Sequence, residues 1–110
     1  MIVVQIFFDA LKQEINSLDI EISCDSRVKG LVINDGNEIM GVAFKKDNLM
    51  QYAKANKGVI LSAGGFVMNE EMIASYLPFQ TKFAAPYGNP WDKGDGIQMG
   101  MSMNANIINM

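Results

Sequence analysis

At 110 residues, with 49% hydrophobic and 19% charged side chains, the chain is long enough for one domain with a modest core and too short for two. A net charge of −3 and the absence of histidine exclude the basic stripe that nucleic acid requires and any His-based metal or acid–base chemistry. The single cysteine, Cys24, excludes an internal disulfide and cannot by itself build a zinc site.

In chain order, Ile2, Val3, Ile6, Phe7, Ala10, Leu11 and Ile15 recur at three- and four-residue spacing, which predicts an amphipathic helix over residues 2–16. The opening Met1-Ile-Val-Val-Gln-Ile-Phe-Phe8 has no basic residue ahead of it and no small-residue cleavage site. It reads as neither a signal peptide nor a membrane span, and the expected location is cytoplasmic. Ile20, Ile22 and Cys24 alternate with polar neighbours and predict a short strand, with Cys24 as a small buried apolar residue. Residues 28–33 and 38–44 predict two further strands joined by Asn34-Asp-Gly-Asn37, whose residues tolerate positive φ. A polar turn at Lys45-Lys-Asp-Asn48 leads to a third strand of this meander at 49–53. The nine methionines point to adaptable packing and not to chemistry.

The C-terminal half is marked by Gly58-Val-Ile-Leu-Ser-Ala-Gly-Gly-Phe66 and Gly94-Asp-Gly-Ile-Gln-Met-Gly100. Val59-Ile-Leu61 is a short β-branched run of the kind buried on both faces of a parallel sheet. Gly64 and Gly65 end it where backbone must come close to something. Asn69 suits an N-cap, with Glu70 and Glu71 in the first turn of a helix that Pro78 stops. A loop over 79–93 with Pro86, Gly88 and Pro90 follows. Asp95 then caps a helix over 96–103, and Ile107-Ile108 begins one more strand. The Gly94 segment differs from the dinucleotide fingerprint G-x-G-x-x-G because its last glycine comes one residue late and it follows a loop. The glycines either let the helix start pack tightly or expose N–H groups to ligand oxygens.

The order of these segments resembles the FAD-binding domain of the fumarate reductase, succinate dehydrogenase and 3-ketosteroid dehydrogenase flavoproteins. The residues that carry it are the Gly58 to Phe66 segment, Asn69-Glu-Glu-Met72, Tyr76-Leu-Pro78 and Gly94-Asp-Gly-Ile97, with Asp35-Gly36 before Gly41-Val42. The resemblance implies an α/β fold, a partial FAD-binding Rossmann-like domain over 1–110 with an inserted antiparallel β-meander. It implies FAD as cofactor. Val28 matches the position whose backbone meets adenine, Ala63, Gly64 and Gly65 the strand end beside the dinucleotide, and Gly94, Asp95 and Gly96 the family's Gly-Asp-Gly. Lys93 stands where the family usually has Thr or Ser.

The family's N-terminal G-x-G-x-x-G unit and its capping or substrate domain have no counterpart in these residues, and no catalytic or metal-binding residue is nominated. Two readings stay open. In one, the chain is the middle of an FAD-dependent oxidoreductase acting on a small-molecule substrate at a C–C bond next to a carbonyl. In the other, it is a non-catalytic α/β domain that forms a homo-oligomer, or joins a complementing flavoprotein chain, through an exposed sheet edge. A chance likeness of an unrelated α/β domain is a third, weaker reading. Binding of FAD by the chain alone is expected to be weak or absent.

Overall fold

The computed structural model describes residues 2–79 and 87–110, so part of the 79–93 loop, including Pro86, lies outside the described residues. The elements run α1 (Ile2–Ser17), β1 (Arg27–Ile33), β2 (Ile39–Lys46), β3 (Leu49–Lys54), α2 (Glu70–Tyr76) and α3 (Asp95–Ser102). Helix α1 forms where the apolar spacing places it. The Gln5 amide donates to Asp9 at 3.0 Å one turn on, and Ser17 Oγ closes the end by donating to the Glu14 carbonyl at 2.7 Å. Its apolar stripe finds no cover among the described residues, where Val3 is 78% and Phe7 66% exposed.

The expected strand at Ile20, Ile22 and Cys24 is not formed, and Cys24 is exposed, not buried. Asp19 and Asp25 take left-handed backbone conformations at either end, and among the described residues no neighbouring strand offers this segment a ladder. Alternation in sequence makes a strand only where a partner edge exists.

The meander is an antiparallel three-stranded sheet in the order β1-β2-β3. Its first turn works through Asn34, whose Oδ1 accepts from the N–H groups of Gly36 at 3.0 Å and Glu38 at 2.9 Å. The positive φ falls on Asn37 at 63°, while Gly36 stays out of the left-handed region. The second turn is a two-residue connection in which Asp47 and Asn48 have φ of 50° and 64°, the pairing that matches strand twist. Gly41 sits in β2 where an added Cβ would run into the Ala53 carbonyl of β3. Leu31, Val42 and Ala53 are cross-strand partners on successive strands, which fixes the register.

Val59-Ile-Leu61 does not form the expected buried parallel strand, and Ile60 is 91% exposed. A parallel strand needs a parallel neighbour, and the described residues supply none. Ile107-Ile108 remains outside regular structure for the same reason. What core there is lies between α2 and α3, around Met72 at 7% exposure. Phe66 packs edge-on against Tyr76 at 6.1 Å between ring centres, and Gln98 of α3 donates to Met72 Sδ at 3.4 Å.

Candidate functional site

Two loops are clasped together at the start of α3. The Gly65 carbonyl accepts from Gly94 N–H at 2.9 Å, and the Asp92 carbonyl accepts from Met68 N–H at 2.9 Å. Asn69 joins both loops to α2. Its Oδ1 caps the helix by accepting from Met72 N–H at 3.1 Å, while its Nδ2 donates to the Lys93 carbonyl at 2.8 Å. Asn69 therefore acts as a helix-start residue, as its sequence position implies.

Three glycines let this clasp close. Gly94 is buried with φ +78°, and a Cβ there would meet Met72 Sδ and Phe66 Cβ. Gly96 is also buried, and its Cβ position lies 3.2 Å from Ala63 Cβ. Gly64 has φ +80° and backs onto the Asp92 carboxylate. Beside Gly65 there is open space. Gly94, not Asp95, is the N-cap of α3, and it offers no side-chain cap. Asp95 is the first helical residue, which leaves its carboxylate free to face elsewhere.

That carboxylate reaches the meander. Arg27 Nη2 lies 3.4 Å from Asp95 Oδ2, and the two side chains are 60% and 45% exposed. Such an exposed pair contributes no more than about 1 kcal/mol, so its consequence is positional. It brings the start of β1 beside the start of α3, and a cleft of about 360 Å³ lies between them, lined by Arg27, Val28, Gly30 and Asp95 among others. Val28 is half-buried, not a full core residue. Among the described residues β1 is an edge strand, so part of its backbone N–H and C=O groups lack a ladder partner there.

The structure thus gathers all seven sequence-selected positions into one region. Ala63 packs on Gly96, Gly65 bonds Gly94, Gly64 covers Asp92, and Asp95 meets the strand that carries Val28. Arg27 and Asp92 join this region without having been singled out. Arg27 could have been noticed as the one arginine, placed directly before Val28. Asp92 gives no sequence signal, because its role depends on Gly64 arriving beside it. Among the described residues, no group of three His, Cys, Asp or Glu side chains could hold a metal ion.

The profile of the FAD binding domain family matches residues 3–110. The chain belongs to that family. It is 30% identical over 93% of its length to a probable fumarate reductase of Shewanella frigidimarina, and 34% identical over 79% to a 3-oxosteroid 1-dehydrogenase of Comamonas testosteroni. It spans only 17% and 15% of those two proteins. Its fold superposes with a TM-score of 0.79 on a 3-ketosteroid dehydrogenase of Rhodococcus jostii solved with 4-androstene-3,17-dione. That match is 25% identical and covers 87% of this chain and 20% of the other. The fold is accordingly a partial α/β FAD-binding domain whose helices are accompanied by an inserted antiparallel meander.

FAD is the cofactor of this family, and the residues present are compatible with part of its site. The open backbone beside Gly65 and the unpaired edge of β1 admit close approach by a ligand. The cleft between β1 and α3 is lined by the backbone about Val28 and by the Asp95 carboxylate.

Proposed function

We propose that this chain supplies the adenosine-facing portion of the FAD site of an oxidoreductase, with residues 1–110 acting as one partial FAD-binding domain. The observation that carries the reading is the convergence of Ala63, Gly64, Gly65, Gly94, Asp95 and Gly96 with the edge strand bearing Val28. When bound, FAD supplies the electron chemistry, exchanging a hydride with a carbon–carbon bond beside a carbonyl. The likeness to fumarate reductase and 3-ketosteroid dehydrogenases supports a small carbonyl-conjugated substrate. The chain's own residues orient and do not react: the β1 edge at Val28 receives the base, Asp95 accepts from a ribose hydroxyl, and the glycines admit the dinucleotide backbone. No residue here is assigned a catalytic role. A single thiol suits a reducing, cytoplasmic compartment. Among the described residues no helix is long and apolar enough to cross a membrane.

The uncovered stripe of α1 and exposed Ile60 favour a companion reading, in which a second copy or a complementing flavoprotein chain covers these surfaces. Flavin fluorescence and polarisation during FAD titration of the gel-filtered chain test the cofactor role. Weak saturable binding is expected, with a Kd of roughly 0.1–1 mM, and it should be lost in the Gly64→Val/Asp95→Ala double variant. A folded chain that binds no FAD at millimolar concentration, or a double variant that binds as well as the parent, would remove the cofactor role.

A further inference from the structure

A relay of polar side chains that the proposed function does not use runs from the end of β2 to the residues before β1. The last pairing of these strands on this side is Arg27 with Lys45, so residues 23–26 lie beyond the ladder. Lys46, the residue after that pair, reaches them with its side chain. Its Nζ donates to Ser23 Oγ at 3.0 Å, and Ser23 Oγ lies 2.9 Å from Ser26 Oγ. Ser26 Oγ in turn donates to the Cys24 carbonyl at 3.0 Å. The turn so spanned is the one in which Asp25 has a left-handed φ of 53°.

These bonds admit one proton order. A carbonyl only accepts, so the single hydroxyl proton of Ser26 is spent on Cys24. Ser23 must then donate to Ser26, which leaves a lone pair of Ser23 for the Lys46 ammonium. Each hydroxyl gives one bond and takes one, and bonds aligned in one sense strengthen one another. The consequence lies one residue further on. Ser26 directly precedes Arg27 and Val28 at the start of β1, and it lines a cleft of about 460 Å³ with Arg27 and Asp95. Lys46 lines neither that cleft nor the one beside Val28, so it can act there only through Ser23 and Ser26.

We infer that Lys46 is a positioning residue: through Ser23 and Ser26 it holds the backbone before β1 and so sets where Arg27 and Val28 stand. The inference rests on the cofactor reading for the ligand it serves, FAD at the β1 edge.

Backbone amide relaxation and FAD titration of the full chain test this together. In Lys46→Met the order parameters of Cys24, Asp25 and Ser26 should fall from about 0.85, the rigid range, to below about 0.6. The Kd for FAD should rise about threefold, while the urea midpoint stays unchanged because these residues lie outside the ladder. Lys46→Arg keeps a donor and should restore both readouts. Lys54→Met, the same charge change in β3, should alter neither. In a Ser23→Ala background Lys46→Met should add nothing, since its effect passes through Ser23. Unaltered order parameters in Lys46→Met, or a loosened turn with unaltered FAD affinity, would overturn the inference and leave the cofactor role standing. So would a loss of affinity that persists in the Ser23→Ala background, because it would mark a direct effect of charge on FAD. A folded chain that binds no FAD would remove the cofactor role and this inference together.

Discussion

Asn69 joins three segments with one amide, and its two bonds can be separated by substitution. Asn69→Ala removes the cap on Met72 and the bond to the Lys93 carbonyl together, and should lower stability by about 2 kcal/mol. Asn69→Ser keeps an acceptor for the cap alone and should recover roughly half of that, read from urea midpoints at constant slope. Gly94 is less forgiving. An alanine there must hold a left-handed φ and press its Cβ on Met72 Sδ and Phe66, so a loss of about 2–4 kcal/mol is expected by the same measurement. If Gly94→Ala proves milder than Asn69→Ala, the flexible Met72 side chain has moved aside and the clasp is looser than its geometry indicates. Neither consequence for Gly94 depends on a ligand, which makes its glycine a requirement of packing in its own right.

The meander is the element whose local chemistry agrees at every level. Asn34 organises the first turn, Asp47 and Asn48 the second, and the alternation of β1 against β2 and β3 follows from those turns. Gly41 is the position where the sheet admits no side chain. Gly41→Val should cost about 1–3 kcal/mol by driving its Cβ into the Ala53 carbonyl, and amide exchange should report the loss first across β2 and β3. Exchange that accelerates uniformly over α2 and α3 as well would mean the meander and the helices unfold as one unit. Both helices of the clasp were legible in the sequence too, through Asn69, the acidic first turn of α2 and Pro78. The cap of α3 was misread, because Asp95 looks like a capping residue by type while the buried, left-handed Gly94 occupies that place.

The molecule as a whole carries more surface than its mass calls for. Its accessible area is 9370 Å², against roughly 6,000 Å² for a compact folded monomer. Its radius of gyration is 16.8 Å, where a compact chain of this length would have about 13 Å. The α1 stripe, Ile60 and Ile108 are among the large apolar side chains left exposed. A surface of this kind is expected to drive self-association or capture of a completing chain. Sedimentation over a range of concentrations should show assembly beyond the monomer, and Phe7→Lys with Ile60→Lys should shift it towards monomer without altering the meander's exchange protection. Monomer at all concentrations in the unsubstituted chain would argue that these faces tolerate water as they stand.

Helix α1, the two hairpin turns and the start of α2 were encoded locally, because spacing, caps and left-handed Asn or Asp residues act within a few neighbours. The glycine-marked segments could likewise be recognised as a family pattern from their order along the chain. The strands expected at residues 20–24, 59–61 and 107–108 could not be settled in that way. A strand is completed by the edge beside it, and apolar residues are buried only when another surface arrives. The same holds for Arg27 with Asp95, 68 residues apart, and for Asp92 beneath Gly64. Their neighbourhood exists only once the loop before α3 has been clasped to the loop before α2.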